Sequence, residues 1–424
     1  MSAPRPAMQP LKPLDAALHE LLGFAATLDG AESISSFEAD GRVLAQDLVA
    51  ALQVPAHDNS AMDGYAVRCA DVTQAMGQSL SGVAELVQSQ RIAAGAAGTA
   101  LAAASVARIF TGAPIPPGAD AVVMQEDCEV VSSATAPAGV VRIKTVPVPG
   151  QWLRRAGEDV RQGAIVLAQG ERLTPAKLGL AASIGMARLL VARRPRVALF
   201  STGDELVMPG EVAPQQMKPG AIYNSNRFFL RALLLRLGCV VSDLGIVPDR
   251  LDATVQALRT AAQDHDVILT SGGVSVGEED HVKPAVQSLG RLDLWQIAIK
   301  PGKPFAYGRV QEAHFIGLPG NPVSSFITFL LLVRPFLLKL QGASQVATPT
   351  IAATAHFTWA SADRRREFLR VRRNADGGLD LFANQSSAVL TSAVWADGLV
   401  DNPPGQTIAV GDLVRFIPFS ELLG

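Results

Sequence analysis

The chain predicts a multidomain α/β plus β protein. It comprises a central α/β domain with a mostly parallel sheet, a β-rich inserted domain, an extended helical/linker domain and a C-terminal β-barrel. Three textures predict it. Over residues 195–344, short apolar strands alternate with helical segments, the pattern of βαβ units and a mostly parallel sheet. Over 54–149, brief β-type runs are broken by Pro/Gly turns, as in a small β-rich module. Beyond about 345, short strands with polar turns return, consistent with a compact barrel. Residues 1–53 together with 150–194 remain for the helical/linker domain.

The 424 residues, 48% hydrophobic, exceed the roughly 250–300 at which a single core stops growing. A net charge of −2 and 5% aromatic content give no electrostatic or stacking case for nucleic acid. Cys69, Cys128 and Cys239 are far apart and odd in number. That argues against a zinc site or a disulfide framework and fits a reducing cytosol. Met1–Pro13 has no apolar run of the secretory kind. Ile92–Ala107 is weakly apolar, and Val323–Val333 is cut short by Arg334-Pro335, so no membrane span is expected. The expectation is a cytoplasmic protein with no membrane partner.

The elements follow in order. Asp15–Leu28 has apolar residues at helical spacing, and Glu38–Leu48 reads as helical or mixed. Tyr65–Val67, Val83–Val87, Arg108–Phe110, Ala121–Met124 and Val140–Val146 read as strands of the insert. Arg193-Arg194-Pro195 reads as a linker. Beyond it come a strand 196–200, a helix 226–238 ending in Gly, a strand 240–244, a helix 251–262, a strand 266–270 and a helix 282–289. Strands 292–297, 304–308 and 314–318 and a long apolar helix 322–340 complete the domain. Strands at 365–373, 378–383, 406–409 and 412–418 make the barrel.

Four strand ends in the α/β domain carry chemistry-bearing loops: Ser201-Thr202-Gly203-Asp204-Glu205, Thr270-Ser271-Gly272-Gly273-Val274-Ser275, Lys300-Pro-Gly-Lys303, and Pro319-Gly320-Asn321-Pro322-Val-Ser324. Ligands of such sheets sit beyond the carboxyl ends of the strands. Gly272 and Gly273 permit close backbone approach to an anion, and Glu278, Glu279 and Asp280 are hard oxygen donors of the kind Mg²⁺ takes beside phosphates. Each loop has a plain reading as well: Asn321-Pro322 starts a helix unaided, and Lys300–Lys303 could be a solvated turn. Together they point to a phosphate-bearing ligand.

Asp58-Asn-Ser-Ala-Met-Asp63-Gly-Tyr-Ala-Val, Thr111-Gly-Ala-Pro, Arg155-Ala-Gly-Glu-Asp159, Ser201-Thr-Gly-Asp-Glu205-Leu, Ser271-Gly-Gly-Val-Ser-Val-Gly-Glu, Lys300-Pro-Gly-Lys-Pro and Leu318-Pro-Gly-Asn-Pro-Val-Ser occur in one order along nearly the whole chain. Jointly they resemble the molybdopterin molybdenumtransferases, the MoeA family related to the E domain of gephyrin. The resemblance implies an elongated four-domain subunit that forms a homodimer, with a molybdopterin-binding α/β domain. It implies molybdate and adenylyl-molybdopterin as substrates, Mg²⁺ as the divalent cofactor, and AMP release; contact with a molybdopterin adenylyltransferase is a further partner expectation. By position, it implies functional roles for Asp63, Thr111, Asp159, Glu205, Asp249 and Asp280, with Glu205 and Asp280 as metal ligands. Ser201, Thr202, Gly203, Ser271, Gly272, Gly273, Ser275, Pro319, Gly320, Asn321, Pro322 and Ser324 would line the pterin site. Lys300, Lys303, Arg365 and Ser387 would hold molybdate. Two other classes compete: a molybdopterin adenylyltransferase, which shares the α/β domain, and a gephyrin-like scaffold without catalysis.

Overall fold

The structure, a computed structural model, describes residues 11–133, 136–274 and 281–423. The chain divides into two compact units, one of residues 1–46, 169–174 and 189–424, the other of 47–168 and 175–188.

The larger unit is organised by a six-stranded sheet in the order Val240–Val247, Arg196–Thr202, Val267–Ser271, Ala313–Leu318, Ala306–Val310, Gly290–Trp295. The first four strands are parallel; 306–310 runs antiparallel to 313–318, and 290–295 antiparallel to 306–310. The inner strands are buried on both faces, with every residue of 267–271 and 313–318 inside, which is why they read as continuous apolar runs rather than alternations. Side chains still sort by parity. Leu199 and Leu269 join one core with Leu14, Leu230, Phe329 and Phe336; Phe200 and Ile268 join another with Leu258, Val286 and Phe315. Helices Ser225–Arg236, Leu251–Asp264 and Val282–Leu289 cover the faces.

The apolar segment 322–340 is one 19-residue helix long and apolar enough to cross a membrane, yet it is mostly buried inside the protein. It continues through Arg334-Pro335, with the bounds 322–340 read from the sequence. A π-turn at Phe329–Val333 separates Pro322–Thr328 from Arg334–Leu340. Pro335 cannot donate a helical hydrogen bond, and the wider turn just before it is a common accommodation of such a break.

The C-terminal strands Ile351–Thr354, Arg366–Arg373, Leu379–Leu381, Gly398–Asn402 and Leu413–Pro418 form a curled sheet. A bridge between Ala355 and Leu379 closes the ring around Phe357, Leu369, Val371, Val400 and Phe416. Residues 406–409, read as a strand, contribute only an isolated bridge from Ile408 to Trp359. Ile299–Lys300, from the loop after strand 290–295, pairs in parallel with Arg366–Glu367, so the lysine loop is stitched to the barrel.

The smaller unit has a six-stranded sheet in the order Ala121–Met124, Gly64–Val67, Ser105–Ile109, Ala84–Ile92, Ala136–Ile143, Cys128–Ser133. Tyr65 and Val67 face one core, Ala66 the other. The helix Cys69–Gln78 packs on it, though the sequence reading had no helix there. Residues 38–48, read as helical or mixed, hold a short 3-10 turn at Ser36–Glu38, isolated bridges at Val43 and Leu44, and a strand at Leu48–Val49.

Candidate functional site

Three parallel strands end at one edge of the larger unit's sheet, and their loops line a cleft of about 680 Å³. From strand 196–202 come Thr202, Gly203 and Glu205. From 267–271 come Ser271, Gly272 and Gly273, and from 313–318 come Pro319, Gly320, Asn321, Pro322 and Ser324. Asp249 lines it as well. Ser201 lies fully buried just behind Thr202. The gathering follows from strand direction alone.

The two glycines of the middle loop are required by space. Gly272 has φ +94°, and a Cβ there would sit 2.5 Å from the Thr202 carbonyl oxygen. Gly273 has φ +65°, and its Cβ would meet Val282 Cγ2 at 2.5 Å and Thr202 Oγ1 at 2.6 Å. Asn226 ties the cleft together: its Nδ2 donates to Ser271 Oγ at 2.8 Å and to the Gly320 carbonyl at 2.7 Å. Asn224 caps the same helix by accepting from Arg227 N. Sequence reading took Asn226 as the start of a helix; the signal it passed over was Tyr223-Asn-Ser-Asn226, two amides at the mouth of an apolar helix. Among the described residues, the hydroxyls of Ser201, Thr202, Thr270 and Ser325 are buried without a hydrogen-bond partner. Each such group costs about 1–3 kcal/mol, a cost that fits a polar ligand-binding edge.

Among the described residues, two carboxylates line the cleft. Glu205 folds back over Gly203, whose Cβ would meet its Oε2 at 2.6 Å. Asp249, whose backbone N–H donates to Asp204 Oδ1 at 3.1 Å, is the other. Ser275 and Asp280 lie outside the described residues. No group of three His, Cys, Asp or Glu among the described residues could hold a metal. Mg²⁺ needs less, since it is commonly bound by one or two carboxylates with substrate phosphates and water; Glu205 and Asp249 fit that donor set.

A second cluster lies where the lysine loop meets the barrel. Lys300 Nζ is 2.9 Å from Glu367 Oε1 and 3.2 Å from Asp363 Oδ2, and 6.0 Å from the centre of the Trp359 ring. Arg365 grips Asp363 through Nε at 3.0 Å, Nη2 at 2.9 Å and its backbone N–H at 2.9 Å. The Arg365 guanidinium, joined by Lys300, holds the Asp363 carboxyl well below the usual carboxylate range, and Asp363 in turn raises Arg365. Desolvation opposes the Lys300 charge, but Glu367 and Asp363 outweigh it and raise its pKa. Lys303 has no ion-pair partner among the described residues. Ser387 touches the neighbouring loop through its carbonyl, which accepts from Val323 N at 3.0 Å, and Ala388 lines the cleft. Asp363, Glu367 and Trp359 were not singled out from sequence, because each is separated from Lys300 by about sixty residues of chain.

The remaining candidates sit in the smaller unit. Asp63 Oδ1 accepts from both the backbone N–H and the hydroxyl of Thr111 at 2.8 Å, which holds its carboxyl below the usual range. Asp58 accepts from Ala156 N at 2.8 Å and Arg155 Nη1 at 2.6 Å. Asp159 is exposed, with its backbone N–H donating to the Val54 carbonyl at 3.0 Å.

Comparison with known proteins fixes the family. Residues 12–185 match the MoeA N-terminal region (domain I and II), 198–339 match the "Probable molybdopterin binding domain", and 352–419 match the MoeA C-terminal region (domain IV). The chain belongs to the MoeA family. It is 39% identical over 399 residues to a molybdopterin molybdenumtransferase of Haemophilus influenzae, covering 93% of this chain and 95% of that one. Identity is 37% to molybdopterin molybdenumtransferase 2 of Mycobacterium tuberculosis, covering 86% and 89%. The crystal structure of the molybdopterin biosynthesis moeA protein from Pyrococcus horikoshii OT3 superposes with a TM-score of 0.83 at 27% identity, covering 96% of this MoeA-family chain and all of the other.

Proposed function

We propose that this enzyme is a molybdopterin molybdenumtransferase, which inserts molybdate into adenylyl-molybdopterin and releases AMP in molybdenum cofactor biosynthesis. The observation that carries the reading is the convergence of three strand-end loops on one cleft, with unpartnered buried hydroxyls beneath it and a lysine–arginine cluster on the adjoining barrel. The cleft suits the pyrophosphate of an adenylyl-pterin. Backbone at Gly272 and Gly273 approaches closely where a side chain would block it, and Asn226 holds two of the loops at fixed spacing. Lys303, Lys300 and Arg365 suit molybdate, a tetrahedral dianion: the lysines act as compact charges and Arg365 as a planar fork. An oxygen of molybdate or water attacks the phosphoanhydride, and AMP leaves with the bridging oxygen's electron pair. Mg²⁺ at Glu205 and Asp249, or at Glu205 and Asp280, would supply charge neutralisation at the phosphates. Asp63, Thr111 and Asp159 are assigned to the same reaction on the strength of the family motifs.

The division into residues 1–53 with 150–194, 54–149, 195–344 and 345–424, a homodimer, contact with a molybdopterin adenylyltransferase and a cytoplasmic location belong to this reading. Sedimentation of the purified chain alone and with the adenylyltransferase tests the two assemblies. The activity is tested by incubating the chain with adenylyl-molybdopterin, Mg²⁺ and molybdate, then measuring AMP and the metal carried by the released pterin. Molybdenum-loaded pterin with equimolar AMP is the expected result. Formation of adenylyl-pterin from molybdopterin and ATP, with no metal insertion, would replace it by the adenylyltransferase reading.

A further inference from the structure

The cation cluster at the lysine loop is already neutralised from within. Lys300 and Arg365 face two carboxylates, Asp363 and Glu367, at 2.9–3.2 Å, so a dianion meets little net charge from this pair of cations. The two acids are held very differently. Glu367 is 1% exposed and lies within strand 366–373, in register with Lys300 on one side and Asn402 on the other. Its Oε2 accepts from Trp359 Nε1 at 2.9 Å and Asn402 Nδ2 at 3.4 Å. Its carboxylate cannot turn away without giving up both of these hydrogen bonds. Asp363 lies in the loop 360–364, outside any strand. Every hydrogen bond its carboxylate makes among the described residues is to Lys300 or Arg365.

Asp363 also occupies the face an oxyanion would use. Its two oxygens take Nε and Nη2 of Arg365 in the paired geometry that a guanidinium offers to any two oxygens of a carboxylate, phosphate or tetrahedral oxyanion. Its Oδ2 simultaneously takes Lys300. We propose that Asp363 is a built-in competitor that fills the oxyanion position on Lys300 and Arg365 until a tetrahedral dianion displaces it, and so sets the oxyanion affinity of the site. Glu367 stays in place throughout and keeps Lys300 aimed at that position. This rests on the reading that Lys300, Lys303 and Arg365 take molybdate. Asp363 is accordingly a positioning residue that acts through its two cations.

Molybdate binding to the full chain without pterin, measured by calorimetry, tests it. Asp363→Asn keeps the shape and removes the charge, and is expected to bind molybdate roughly fivefold more tightly, the size of one partly exposed charge pair. Asp363→Glu restores the competitor and is expected to stay within about twofold of the unsubstituted chain. A merely structural role predicts the reverse, weaker binding in Asp363→Asn. Equal or weaker binding there, with Lys303→Ala still weakening molybdate, overturns the competitor and leaves the molybdate site standing. Unchanged binding in both overturns the two together. A second measurement needs no variant: displacement frees the Arg365 backbone N–H from Asp363, so saturating molybdate should speed hydrogen exchange over 360–365. Unchanged or slower exchange overturns the proposal.

Discussion

At the level of single residues, the charges fall into those that hold the fold and those that are free for chemistry. Glu205 is exposed at the end of a buried strand, so Glu205→Gln should leave the melting temperature within about 1 °C, since surface substitutions of this kind cost within about 0.5 kcal/mol. AMP release should fall on the order of 100-fold if a charged oxygen at the phosphates is lost; near-normal release would remove Glu205 from the site. The two lysines should separate by stability. Lys300→Ala strips the 1%-exposed Glu367 of its cation, leaving a buried carboxylate paired only with neutral donors. A destabilisation of about 2 kcal/mol is expected, below the range for a fully buried pair because Lys300 is itself 39% exposed. Lys303→Ala has no such partner among the described residues and should shift only the molybdate dependence. Equal melting temperatures for the two variants would show that Glu367 does not depend on Lys300.

At the level of elements, most strands and helices were legible because burial wrote them into the sequence. The stretches 197–200, 267–269 and 315–318 are continuous apolar runs since both faces are covered. Helix 282–289 has the bounds its spacing predicts. What was not legible depends on contacts distant in sequence. Residues 38–48 take their form from bridges to Arg172 and Val191, which local periodicity does not encode. The Ile299–Lys300 strand exists only through Arg366–Glu367. The glycines after strand 267–271 allow a direct test of loop geometry. Gly273→Ala combines φ +65° with a Cβ only 2.5 Å from Val282 Cγ2 and should cost about 2–3 kcal/mol in denaturant unfolding. Gly377→Ala has φ +81° but open space around it and should cost only about 1 kcal/mol. If the two cost the same, crowding at the loop contributes nothing.

At the level of the whole molecule, the order of motifs carried the family assignment, and strand direction brought three of the four loops' linings to one cleft. The pairing of Lys300 and Arg365 with Asp363 and Glu367 was beyond sequence reading, because spacing does not reveal counter-ions. Global stability has its own buried switch away from the cleft. His314, 7% exposed at the start of strand 313–318, has its Nδ1 2.8 Å from the Tyr307 hydroxyl, with Arg309 Nη1 3.0–3.1 Å from its ring nitrogens. Burial, then repulsion from Arg309, lowers its pKa from 6.5 to about 4, against a smaller upward pull from Asp266. The unfolded chain therefore binds a proton here that the folded chain refuses. The contribution to stability is fully present above about pH 6.5 and is lost progressively as pH falls toward about 4. That gap corresponds to about 3 kcal/mol. Asp266 and Asp363, whose pKa values are lowered, lose their contributions only as pH falls below the ordinary carboxylate value of 3.8, so the interval from pH 7 to 4.5 isolates the histidine. Urea unfolding should show the larger unit losing about 2–3 kcal/mol over that interval. His314→Gln, although less stable at pH 7, should lose markedly less. Parallel losses in both proteins would mean that His314 is not held neutral and that the acid sensitivity of the fold arises elsewhere.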